Sequence, residues 1–102
     1  MSRELIVLSP RKPDVDAVQV PGLDVRDAYV FDAQDQLLVR IDTPILVPVP
    51  GEVERLLGVS ASVPVWWTEL HAAADSPRAV DAARHCADEL AAQHDGTVWS
   101  NR

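Results

Sequence analysis

Apolar residues alternate with polar ones along much of the chain before Pro77 and recur at helical spacing after it, so the pattern reads as a strand-rich body followed by one long helix. Residues 4–9 (Glu-Leu-Ile-Val-Leu-Ser) form a nearly continuous apolar run closed by Pro10, the signature of an interior strand buried on both faces. Residues 11–25 carry Pro13, Pro21 and Gly22 with no sustained period and predict a loop, with one helical turn near residues 14–18 capped by Asp14.

Residues 28–32 and 36–42 predict a hairpin across the polar connector Ala33-Gln34-Asp35. Alternation makes Tyr29, Phe31, Leu37, Val39 and Ile41 the expected core set and puts Arg40 and Asp42 on the other face. Ile45, Val47 and Val49 resume the alternation between Pro44, Pro48 and Pro50. Proline lacks the ladder N–H, so this segment reads as an edge strand or extended arm.

Residues 52–57 predict a short amphipathic helix with Val53, Leu56 and Leu57 on one side and Gly58 as its stop. A strand over residues 63–72 follows. The last helix has Ser76 as N-cap, Pro77 in its first position and Gly96 beyond its end. Its apolar face (Ala79, Val80, Ala83, Ala87, Leu90, Ala91, His94) is mostly alanine, and Arg78, Asp81, Ala82, His85, Glu89 and Gln93 take the other side. A face of alanines approaches a sheet closely, so bulk must come from its partner, with Trp66, Trp67 and the valines as candidates. Residues 97–99 supply a final strand. If the strands flanking the helix share a sheet and run parallel, the crossover is right-handed. The expected fold is one α+β domain over residues 1–102. It has a small mixed sheet of four to five strands, the long C-terminal helix on one face, and the short helix near residues 52–57.

Composition narrows the function classes. Nine Lys and Arg against sixteen Asp and Glu give a net charge of −7, which disfavours a nucleic-acid partner because phosphate affinity rests on basic side chains. Residues 1–13 carry a local +2, so the acidity belongs to the body of the chain. One Lys against eight Arg, with abundant Ala, Val and Asp, is the usage of a high-GC bacterial genome. The apolar run after Met1-Ser2-Arg3-Glu4 is too short for a signal-peptide core, and no stretch is long enough to span a membrane. With a single, unpaired cysteine, Cys86, the expected location is cytoplasmic.

Several groupings could carry chemistry. Glu69 and His71 are two apart on a strand and share a face with Trp67, as a carboxylate-oriented general base in a cleft would require; the plain alternative is a half-solvated strand end. His85, Cys86 and His94 point in divergent directions around their helix, so they cannot share one ion, and neither a metal nor a cofactor is expected anywhere in the chain. His94 is placed to complement the helix dipole and Cys86 to fill the core. Arg11 and Lys12, with Arg3 nearby, make a basic loop without the glycines of a phosphate cradle. Trp66 and Trp67 are consecutive on a strand and must face opposite ways, so either both faces of the sheet are covered or one indole is exposed as an anchor.

With no catalytic set expected, the leading reading is a non-catalytic, acidic interaction module, of which an inhibitor or immunity-type protein is one form. Trp66, Trp67, Trp99, Ile45, Val47 and Val49 are its candidate contact residues. Its expected partner is another protein, with a basic one the complementary form, or a second copy, and neither nucleic acid nor membrane. The alternative is a small enzyme or ligand-binding domain using Glu69 and His71 beside Trp67.

Overall fold

The computed structural model describes residues 4–73 and 76–100; Arg3 of the basic cluster lies outside them. The apolar run at the start forms β1 (Glu4–Ser9), with Leu5 to Ser9 all buried. The remaining elements are β2 (Asp24–Arg26), β3 (Tyr29–Phe31), β4 (Leu37–Ile41), β5 (Ile45–Val47), α1 (Glu52–Leu57), β6 (Val65–Ala72), α2 (Pro77–Gln93) and β7 (Thr97–Ser100). They build an α+β fold on one antiparallel sheet of seven strands, where a mixed sheet of four to five was expected. The order is β2-β3-β4-β6-β1-β7, with β5 also on β6. Both β6 and β7 run antiparallel to β1, so α2 joins two mutually parallel strands with β1 between them.

Strands β4 and β5 share one edge of β6. Val39 to Ile41 lie opposite Leu70 to Ala72, and Ile45 to Val47 opposite Val65 to Trp67. From Ile41 to Ile45 the chain advances four residues while β6 advances three, so one residue is extra. This bulge holds Thr43 and Pro44, where a missing N–H costs no ladder bond.

The strand count differs from expectation chiefly because residues 24–26, expected at the end of a loop, form β2. It pairs with β3 through Asp27-Ala28, both at positive φ (51° and 69°), the geometry of a two-residue hairpin turn. Asp-Ala lacks the glycine that announces such a turn. The core set of the next hairpin also changes. Val30 is fully buried while Tyr29 and Leu37 are exposed and Phe31 is half-buried, because the β3–β4 register shifts between Val30 and Phe31. Val39 faces Val30 and Leu37 faces Phe31, leaving Leu38 as the bulged residue, buried beside Val39. One extra residue reverses the face of everything beyond it. The connector is closed by the buried Asp32, whose Oδ1 accepts from the backbone N–H of Gln34 and Gln36 at 2.8 and 2.9 Å.

Alpha-helix α2 starts as expected: Ser76 Oγ accepts from the Ala79 N–H at 3.2 Å and Pro77 opens the helix. Its buried stripe is Ala79, Ala82, Ala83, Cys86, Ala87, Leu90 and Ala91, wider than expected, since Ala82 turns inward. The bulk opposite it comes from Leu5, Val7, Val30, Val39, Ile41 and Leu70, not from tryptophan. Val18 and Val20 of the long loop close the same core. The Asp14 turn is a single 3-10 turn (Val15–Ala17), and the Asp14 side chain makes no capping bond.

On the other sheet face, Ile6, Leu8, Val65 and Val53 of α1 form a second, smaller core against which Trp67 and Trp99 pack. Both faces are therefore covered at the β6–β1 end, and all three tryptophans are half-buried. Leu56 of α1 does not join Val53 but faces solvent at 55% exposure. Among the described residues no helix is long and apolar enough to cross a membrane.

Candidate functional site

The strand period places Trp67, Glu69 and His71 of β6 on the α1 side of the sheet, and register decides what they meet. Arg40 lies directly across from His71, and the Asp42 N–H donates to the Glu69 carbonyl at 2.8 Å. Arg40, Asp42, Glu69 and His71 thus form a polar quartet on two adjacent strands. His71 Nε2 lies 3.0 Å from Asp42 Oδ2, and Arg40 Nε lies 3.2 Å from Asp42 Oδ1. The His71 side chain is only 13% exposed, and Asp42, Glu69 and His71 are all half-buried. Each offers one donor atom within 4.8 Å of the others. A carboxylate at this distance orients the imidazole ring.

Asp42 was not singled out in the sequence. Its only local signal is that Arg40 and Asp42 make up the polar side of their strand, and nothing local says that this side meets Glu69 and His71.

The other candidates are scattered. Ile45 stands across from Trp67 and Leu46 across from Trp66, so part of the expected contact set does converge at β5, while Trp99 lies on β7 beyond β1. Ile45 is 60% exposed and Val49 51%, whereas Val47 packs into the smaller core. Leu46, Leu56 and Val59 are exposed as well.

The basic loop is spent on structure. Arg11 donates to the Gln93 carbonyl at 3.2 Å and pairs with Asp95 at 3.3 Å, at the negative end of the α2 dipole. The Lys12 ammonium sits 5.6 Å above the Trp66 ring. His94 caps the same end: its Nδ1–H donates to the Leu90 carbonyl at 2.8 Å and its Nε2 accepts from the Asp14 N–H at 3.2 Å, which defines a neutral tautomer. Cys86 is fully buried, and burial, helped by the charge of Glu89, pushes its thiol up to about 11, the reverse of a nucleophile's activation.

A cavity of about 680 Å³ lies on the α2 side, lined by Asp16, Val20, His85 and Glu89 among others, across the sheet from the quartet. No family model matches the sequence, and neither a curated protein nor a solved structure matches it.

Proposed function

We propose that the protein is a non-catalytic interaction module of the bacterial cytoplasm that accepts a strand of a basic partner protein along β5. The observation that carries this reading is the state of that edge. Among the described residues strand β5 is hydrogen-bonded to β6 on one side only, and Ile45 and Leu46 on it and Val49 just beyond it are exposed to solvent. An unpaired edge bordered by apolar side chains is what strand addition uses.

The edge at β2 is different. It is guarded by charge, with Arg26 paired to Asp24 at 2.8 Å and to Asp35 at 3.0 Å. Pro44 and Pro48 restrict β5 to three residues, so few backbone bonds are on offer and the apolar side chains must supply much of the affinity. Charge selects the partner. Residues 42–69 hold Asp42, Glu52, Glu54 and Glu69 against Arg55, so a basic chain is attracted and a second copy of this one is repelled.

The test compares pull-downs from the source cytoplasm on wild-type protein and on Ile45→Lys, a change at an exposed side chain that leaves the fold intact. A basic protein retained by the wild type, lost from Ile45→Lys and released as salt rises supports the reading. Equal retention by both proteins, or a monomer that enriches nothing, overturns it.

A further inference from the structure

We infer that Asp42, Glu69 and His71 form a binding site for a borderline divalent transition ion of the Zn²⁺ type, with two carboxylate oxygens and one imidazole nitrogen converging from adjacent strands. Backbone pairing sets the positions of all three: Asp42 is bonded across to Glu69, and His71 stands one ladder step along on the same face. Ligands held by a sheet start close to their bound positions, so little ordering is left to the moment of binding.

The distances suit an ion. Around a tetrahedral centre with bonds of about 2.0–2.2 Å, neighbouring donors sit roughly 3.3 Å apart. His71 Nε2 and Asp42 Oδ2 are already 3.0 Å apart, and the three donor atoms all lie within 4.8 Å. Rotation of the Glu69 side chain closes the remainder, and solvent at this half-buried site supplies a fourth ligand. The proton on Nε2 leaves to solvent when that nitrogen ligates.

Donor type selects the metal. Calcium and magnesium take six or more oxygens, while one imidazole with two carboxylates suits Zn²⁺ and its neighbours. Arg40 acts in two directions. Its contact with Oδ1 presents Oδ2 of Asp42 toward His71, and its charge opposes a cation; being solvent-exposed, it can swing away. An ion here would clamp β4 to β6 immediately before the bulge that leads into β5. The inference is independent of the edge-strand reading, which is tested at other residues.

The experiment titrates tag-free protein with Zn²⁺ alone, read by calorimetry and by the histidine ring signals in NMR. One ion is expected to bind per chain, shifting the His71 ring signals and leaving those of His85 and His94 in place, with Mg²⁺ having no such effect. Asp42→Asn and Glu69→Gln, two substitutions that keep shape, should each weaken binding about tenfold or more and abolish the Zn²⁺-dependent rise in Tm. Circular dichroism of the metal-free variants confirms the fold, and Glu69→Gln, which among the described residues has no side-chain bond across strands to lose, stands alone if Asp42→Asn does not fold. No saturable binding, ring shifts at His85 or His94 instead of His71, or unchanged affinity in the folded variants overturns the proposal and leaves the cluster as an ion-pair network.

Discussion

Thr68 sits in the middle of β6 with its side chain fully buried against the α2 side, and among the described residues its Oγ1 has no hydrogen-bond partner. A buried hydroxyl gives up its bonds to water without replacement, whereas valine has nearly the same shape and suits a strand. Thr68→Val is therefore expected to stabilise the protein by about 1 kcal/mol, seen as a rise in Tm of roughly 4–8 °C. An unchanged or lower Tm would show that the hydroxyl has a partner. Cys86 makes a second residue-scale prediction. The unfolded thiol ionises from its ordinary value of 9.0, while the folded one holds its proton to about 11, first because it is buried and then because Glu89 is near. Between those values the unfolded state binds fewer protons, so stability falls as pH rises from about 9 to 11. Denaturation midpoints across this range should decline more steeply for wild type than for Cys86→Ala; parallel curves would contradict the assignment.

Elements are held together by their ends as much as by their faces. Helix α2 finishes with His94 as C-cap, Asp95 at φ 55° and the Gly96 N–H bonded to the Ala91 carbonyl at 2.8 Å. That is a Schellman closure in which aspartate, not glycine, takes the left-handed position. Glycine is required one residue later for a different reason: a Cβ on Gly96 would lie 2.6 Å from the Leu8 carbonyl oxygen and 3.1 Å from the Ser9 Cβ. Gly96→Ala must push β7 away from β1 where Thr97 pairs with Leu8, at an expected cost of about 1–3 kcal/mol. Urea denaturation gives the magnitude, and faster amide exchange confined to β7 would give the location; loss of stability without a change in β7 exchange would place the strain elsewhere. The same end of α2 gathers Arg11, Asp14 and His94, so the loop after β1 is anchored to a helix about eighty residues further along the chain.

At the scale of the whole molecule, β6 organises the fold. It pairs with β1 on one side and with β4 and β5 in succession on the other, and its two faces serve different ends. Leu70 and Ala72 complete the core under α2, while Trp67, Glu69 and His71 face the side that α1 covers only in part. The uncovered portion of that face holds the polar quartet, and the apolar edge at β5 borders it. Candidate cation site and candidate docking edge are consequently neighbours joined by one bulge, although neither depends on the other. What sequence alone determined are the features with local causes. The strand β1 follows from an unbroken apolar run, α1 from its glycine stop, α2 from its serine cap and proline start, the edge character of residues 45–47 from flanking prolines, and the common face of Glu69 and His71 from the period of two. Tertiary structure decided whatever depends on pairing between distant segments. The bulges at Leu38 and Thr43-Pro44 each set one extra residue against the partner strand, and they reverse faces that alternation had assigned. The turn at Asp27-Ala28 is imposed on residues without a turn signal by the pairing of β2 with β3. Asp42 reaches His71 only because β4 docks on β6, a contact between residues twenty-nine apart whose register comes from the shared core beneath it and not from any motif in either strand.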